Sequence, residues 1–596
     1  MQRLVTFAAA LLIASCGGGG GGGGGSSNAP APGAAFTDPA TYSSGAAAAL
    51  ASADEIGAVT RHQLVLGGVT LNYTATAGHL SARDPLTGAS EASFFYVAYT
   101  VDGRDPATRP LTFFFNGGPG SATVWLHLGS FGPKRLAASA PSTTVPTPFP
   151  LVDNAESLLD VSDLVFVDAV GSGFSQAIAP NNNRTFWGVD ADAAVFRDFV
   201  MRYVAVNTRG ASPKFLFGES YGTTRSAVLA NLLETAGVSL KGVVLQSSVL
   251  DYNSNCGLLA VALIACTGYL PSYAAVGAWF NLAAPSPPPA ALASFIEEAR
   301  ALASTQYDPA VRRFLSAGSP PDAGLVAQLA AKTGMPAAKW QTRFNMDNTY
   351  FHDNILPGTV IGYYDARVTA PEGSALAAQQ DPSSTFITPS FSLAITQYLA
   401  NDLRYTTPSS YVLLGNAING WNFTHDGHAL PDTVPDLAAA MARNPKLKVF
   451  SANGYHDLVT PFYTTEMDIG RFPSAASFTV RFYSGGHMTY LDDTARVQQR
   501  ADLAQFYQAA LATATAQVPV APASAPAETA APAPNSMPPG VMERPLFGIA
   551  LPPALRSAKL APATRGEELR LQVERKLAEG DASRRILRAR GVEMPD

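Results

Sequence analysis

Three observations predict an α/β fold, a mostly parallel central sheet flanked by helices. Between about residues 60 and 250, apolar runs with strand character alternate with helical stretches. That order builds a parallel sheet covered on both faces. Strand character returns at 447–452 and 477–483 after a long helix-rich stretch of different texture, and a glycine-flanked serine sits where one strand runs into a helix. Composition agrees: of 596 residues, 47% are apolar and 14% charged, which excludes a wholly disordered chain. With 40 Lys+Arg against 46 Asp+Glu the net charge is −6, so no basic field exists for nucleic acid.

The first element is an address. Arg3 precedes an apolar run, Leu4 to Ala14, that ends at Ser15-Cys16. The run is too short to span a bilayer and reads as a signal peptide over 1–16. Leu12-Ile13-Ala14-Ser15-Cys16 resembles a bacterial lipobox, in which the cysteine is acylated; an ordinary secretory signal is the alternative. Gly17–Gly25 opens a Gly/Ala/Pro-rich tether over 17–45, long enough to stand a lipid-anchored domain off its membrane. Of the three cysteines, Cys256 and Cys266 remain. Export makes a disulfide between them the expectation, against two buried thiols.

The catalytic domain is expected over 46–515. Strands are predicted at Gln63–Tyr73, Ser93–Val101, Leu111–Phe115, Asp163–Val170, Lys214–Phe217 and Gly242–Leu245, with helices at Asp190–Val206 and Tyr221–Ala236. From Pro285 onward short helices dominate, so residues of about 260–410 read as a cap inserted into the α/β domain. Strands Leu447–Ala452 and Ser477–Tyr483 and a closing helix, Arg496–Ala512, complete it. An Ala/Pro-rich linker over 516–541 leads to a charged tail, 542–596, that reads equally as a docking helix or a dispensable end.

Gly218-Glu219-Ser220-Tyr221-Gly222 follows a strand and opens a helix. This is the G-x-S-x-G nucleophile elbow of α/β-hydrolases in its required context. A serine needs a base and an orienting acid, in the order Ser…Asp…His on this fold. Of the histidines beyond Ser220, only His456 and His487 follow apolar strands. His487 is the expected base, aimed by Gly485-Gly486. Asp457 is the expected acid because it ends a strand, although Asp432, Asp436 and Asp468 also precede His487. The oxyanion hole is expected from the Tyr221 N–H and from Gly118 in the loop Asn116-Gly117-Gly118-Pro119-Gly120. Gly171-Ser172-Gly173 begins a dinucleotide fingerprint but has Gln176 where the third glycine belongs. No metal or nucleotide motif is present, so no cofactor is expected.

Together these motifs resemble the serine carboxypeptidase family. Asn116–Ser121, Gly171–Ser175, Gly218–Gly222, Asp457-Leu458-Val459-Thr460-Pro461 and Gly486-His487-Met488 match its blocks in order, over roughly residues 60–512. Leu270-Pro271-Ser272-Tyr273 and Gly362-Tyr363-Tyr364-Asp365-Ala366-Arg367 resemble its bacterial branch. The resemblance implies release of C-terminal residues from peptide or protein substrates, favoured at acidic pH. It also implies that Asn116, the Gly117 N–H and Glu219 bind the substrate's terminal carboxylate. A carboxyl meeting a carboxylate must be protonated, since two like charges in contact do not both ionise. The second glutamate of eukaryotic members is missing: no acid lies between Gly117 and Val152.

The expectation is therefore a serine-type carboxypeptidase of the bacterial envelope, touching the membrane only through an N-terminal lipid anchor. An esterase or acyltransferase on the same site, and a binding module with a vestigial site, are the alternatives.

Overall fold

The computed structural model describes residues 33–258, 264–473 and 476–512. The signal segment with Cys16, the linker, the tail and the first half of the tether lie outside the described residues.

A ten-stranded sheet forms the centre. In chain order its strands are β1 (Gly57–Leu66), β2 (Val69–Arg83), β3 (Ser90–Val101), β4 (Leu111–Phe115), β5 (Asp163–Val167), β6 (Gln176–Ala177), β7 (Lys214–Glu219), β8 (Leu240–Gln246), β9 (Lys448–Gly454) and β10 (Phe478–Tyr483). They lie in the order β10-β9-β8-β7-β4-β5-β3-β2-β1, with β6 beside β3. The run from β10 to β5 is parallel, while β1, β2 and β3 form an antiparallel extension joined to β5. The single strand predicted over 63–73 is two strands. Gly67 and Gly68 both take positive φ, +55° and +80°, and such a pair makes the two-residue hairpin turn that matches strand twist.

The parallel strands β4, β5, β7 and β8 are buried along nearly their whole length because both faces are covered. Successive side chains point to opposite faces. Phe114, Phe166, Phe217 and Phe450 join one core cluster, and Phe113, Phe115, Leu216 and Val449 join the other. The Phe114 ring stacks between those of Phe166 and Phe217, at 4.6 and 4.8 Å between centroids. Helices Val189–Val206 and Tyr221–Thr235 cover the second face, and Asp493–Leu511 packs on the first.

Between β8 and β9 runs the predicted insertion. Helices Leu270–Trp279, Leu292–Leu302, Asp308–Ala317 and Ala323–Thr333 share an apolar cluster of their own with Trp340 and Phe351. Helix Pro382–Asn401 does not join that cluster; Phe391, Ile395 and Tyr398 pack into the sheet's core. Cys256 and Cys266 form a disulfide at the root of the cap, with Cα atoms 5.3 Å apart. Among the described residues no helix is long and apolar enough to cross a membrane.

Part of the stretch expected as tether is packed. Phe36–Thr37 pairs in parallel with Tyr405–Thr406, and the Tyr42 ring stacks on His79 at 4.6 Å. Buried Asp38 accepts hydrogen bonds from the hydroxyls of Tyr42 and Tyr405, each at 2.7 Å. Aromatic residues interrupt the Gly/Ala/Pro composition there and supply apolar surface worth burying.

Candidate active site

The site lies where α/β sheets place their sites, at the carboxyl ends of the parallel strands. Four strands feed it, two on either side of β8. The Asn116–Gly120 loop follows β4, Ser220 follows β7, Asp457 follows β9 and His487 follows β10.

Ser220 sits in the elbow between β7 and helix Tyr221–Thr235, with φ 60° and ψ −130°. A non-glycine residue is strained in that region, and such strain is kept at sites where the surrounding structure enforces it. The turn is so sharp that a Cβ on Gly218 would lie 2.1 Å from the Gly222 carbonyl oxygen, which is why glycine stands there. The Ser220 amide donates to the Gln246 carbonyl at 3.0 Å.

His487 and Asp457 are buried and paired. The His487 Nδ1 lies 2.8 Å from Asp457 Oδ2, and Thr460 Oγ1 lies 2.9 Å from that oxygen and 3.1 Å from Nδ1. The other Asp457 oxygen accepts the Val459 and Thr460 amides at 2.8 and 3.0 Å. The Tyr364 ring meets the imidazole edge-on, 5.1 Å between centroids. Burial works to lower the His487 pKa; the Asp457 charge and hydrogen bond, with the Glu219 charge, outweigh it and hold the group above its usual 6.5. The His487 carbonyl accepts Ser247 Oγ at 2.6 Å and Gln246 Nε2 at 3.1 Å.

The β4 loop presses against the elbow. A Cβ on Gly117 would lie 2.4 Å from the Tyr221 nitrogen, so the Gly117-Gly118 peptides and the Tyr221 amide share one small region. Asn116 Nδ2 donates to Glu219 Oε1 at 2.8 Å, and the Tyr490 hydroxyl donates to Glu219 Oε2 at 2.6 Å. Asn116 Oδ1 is held by the Leu126 amide at 3.0 Å. Burial pushes the Glu219 carboxyl up to about 7, aided by the Asp457 charge and opposed by His487, Tyr490 and Asn116.

The structure thus gathers Ser220, Asp457, His487, Gly117, Gly118, Tyr221, Asn116 and Glu219 at one sheet edge. The competing acids are engaged elsewhere: Asp432 with Arg471, Asp436 with His425 and Asp468 with the Asp251 amide. His456 is buried with its ring against Trp279. Sequence reasoning missed Thr460, Gln246 and Tyr490. Thr460 stood inside a quoted motif; the other two carry no local signal.

His425, Asp426 and Asp436 bring potential metal-ligand atoms within 4.8 Å of one another. Both His425 nitrogens are already engaged, Nδ1 with Asp190 at 2.6 Å and Nε2 with Asp436 at 2.8 Å. Those bonds, opposed by burial, raise its pKa to about 9, so the group reads as an imidazolium held between carboxylates.

Residues 68–262 match the family described as serine carboxypeptidase. That stretch holds the β4 loop and the elbow; Asp457 and His487 lie beyond it. Two plant proteins of Arabidopsis thaliana are similar. Serine carboxypeptidase-like 33 is 27% identical over 199 residues, covering 31% of this chain and 39% of its own. Serine carboxypeptidase-like 2 is 25% identical over 171 residues, covering 27% and 37%. The matched region thus spans about two fifths of these relatives' length. Among solved structures, a prohormone-processing carboxypeptidase from Saccharomyces cerevisiae superposes with a TM-score of 0.46 at 16% identity, covering 73% of this chain and 91% of that one. A proline iminopeptidase from Mycobacterium smegmatis gives 0.33 at 15% identity, covering 73% and 98%.

Proposed function

We propose that the protein is a serine-type carboxypeptidase that hydrolyses C-terminal peptide bonds through an acyl-enzyme. The observation that carries this reading is Glu219. A carboxyl one residue before the nucleophile, buried and held near pH 7 beside Asn116, suits a substrate that ends in a carboxylate. Below about pH 7 the protonated Glu219 donates to that carboxylate, with Asn116 Nδ2 and the Gly117 N–H as further donors. Above it, two like charges oppose binding.

With Nδ1–H donating to Asp457, the Nε2 of His487 serves as base. Ser220 Oγ attacks the scissile carbonyl as its proton passes to Nε2. The Gly118 and Tyr221 N–H groups hold the oxyanion. The C–N bond breaks as His487 returns the proton to the leaving amine, and the acyl-serine remains. Water, deprotonated by His487, then attacks the ester carbon and frees Ser220. Glu219 must be protonated and His487 neutral, so a bell-shaped pH dependence follows, with Glu219 on the alkaline limb.

The missing second glutamate does not leave Glu219 alone, because Tyr490 meets its second oxygen. The bacterial-branch motifs, the lipobox-like segment ending at Cys16 and a disulfide typical of oxidising compartments support an exported, lipid-tethered enzyme of the cell envelope acting on peptides or proteins. Labelling of Ser220 by a fluorophosphonate, abolished in Ser220→Ala, tests the nucleophile; an unlabelled wild type contradicts it.

A further inference from the structure

Arg225 lies one turn into the helix that follows the nucleophile, and its side chain is completely buried. Its Nε and Nη2 donate to the two oxygens of Asp192, at 2.7 and 3.2 Å. Its Nη1 donates to the backbone carbonyl of Asn116 at 2.8 Å. The guanidinium lies over the Phe196 ring at 4.3 Å, with Tyr221 and Phe115 at 5.3 and 5.4 Å. The Tyr221 hydroxyl also donates to Asp192, at 3.3 Å.

A cation taken wholly from water is costly unless it is paired and its donors are used. The ion pair with Asp192 would be complete without any bond to Asn116. The third bond reaches across to another element, the loop after β4, and takes hold of one particular peptide. In a planar trans peptide the C=O and the following N–H point in opposite directions. Holding the Asn116 oxygen on the Arg225 side therefore turns the Gly117 N–H to the other side. A charged donor on the carbonyl also polarises that peptide, which strengthens its N–H as a donor.

We infer that Arg225 is a positioning residue for substrate recognition: by holding the Asn116 carbonyl it aims the Gly117 N–H at the substrate's terminal carboxylate. Asp192 keeps the guanidinium oriented. The inference rests on the carboxypeptidase reading, and it assigns a role to a side chain that does not touch substrate. Only a guanidinium serves two carboxylate oxygens and a carbonyl from one fixed fork.

Arg225→Ala alone would strand the Asp192 charge in the interior, so the pair is changed together. Arg225→Gln with Asp192→Asn replaces it by two amides; Arg225→Met with Asp192→Leu replaces it by apolar groups. Each is compared with wild type on an N-blocked dipeptide and its C-terminal amide at pH 6, with Ser220 labelling by a fluorophosphonate as the check of an assembled elbow. The expected result is that KM for the free acid rises about tenfold or more, that the acid-to-amide preference falls by the same factor, and that Ser220 remains labelled. An unchanged preference in a labelled double variant overturns the inference alone, as does loss of labelling in step with peptide cleavage in both variants. If wild type cleaves acid and amide equally, the carboxypeptidase reading fails and this inference goes with it.

Discussion

Gln246 ties Ser220 to His487: its carbonyl accepts the Ser220 amide at 3.0 Å, and its side chain donates to the His487 carbonyl at 3.1 Å. Its Oε1 is in turn held by Gln499 at 2.6 Å. The elbow and the histidine loop are thereby set against each other through one residue at the end of β8. Gln246→Leu leaves the His487 carbonyl with Ser247 alone and strands the Gln499 Nε2, while Gln499 Oε1 keeps its bond from Thr489. Stability should fall by about 1–3 kcal/mol, and kcat should fall more than KM rises. Steady-state kinetics and thermal melting of the variant check this.

On the proposed reading Asp457, 2.8 Å from His487 Nδ1, orients the imidazole. Asp457→Asn keeps the shape but favours the wrong tautomer, so kcat should drop by on the order of 10³–10⁴. Thr460→Val removes one contact to the same oxygen and should cost about tenfold or less. A variant order with Thr460 the more damaging would contradict the assignment.

On the proposed reading Glu219 sets the alkaline side of binding. Its raised pKa of about 7 keeps it protonated below that pH and charged above it. KM for a free-acid substrate should therefore rise with pH above about 7. In Glu219→Gln, which cannot ionise, KM should stay flat over the same range. Measuring KM from pH 5 to 9 for both proteins decides it.

His425 offers a pH effect on stability with the opposite cause. The hydrogen bond to Asp436 leads in raising its pKa from 6.5 to about 9, with Asp190 second in the same direction. A group whose folded pKa is raised stabilises fully below its unfolded pKa, and that stabilisation is lost as pH rises through the folded value. Melting temperature should thus fall between pH 6.5 and 9 more steeply in wild type than in His425→Gln.

The Cys256–Cys266 bridge closes a short loop, with ten residues of sequence separation. Cys256→Ser with Cys266→Ser should cost about 3 kcal/mol by loop-closure entropy. A melting temperature unchanged by the double substitution would contradict this.

The chemistry-bearing loops were legible because each is a short motif bound to a strand end, so local pattern and function coincide. Ser220, Asp457 and His487 could be read without knowing the sheet order. Tyr490 and Gln246 could not, since a phenol after β10 reaches Glu219 only once β7 and β10 share an edge. Arg225 and Asp192 sit on two different helices, and charges inside helices usually read as solvated faces. Packing within the stretch expected as tether is not legible from composition, because Phe36 and Tyr42 find their partners in Tyr405 and His79, far along the chain. The 63–73 run reads as one strand by its β-like pattern, and the Gly67-Gly68 turn divides it in the structure.

The most direct test is release of the C-terminal residue from an N-blocked dipeptide between pH 4 and 8, beside its C-terminal amide, with Ser220→Ala as control. Cleavage of the free acid alone, absent in Ser220→Ala and fading above about pH 7, is the result expected if Glu219 reads a carboxylate. Equal cleavage of acid and amide would keep the serine hydrolase and contradict the carboxypeptidase.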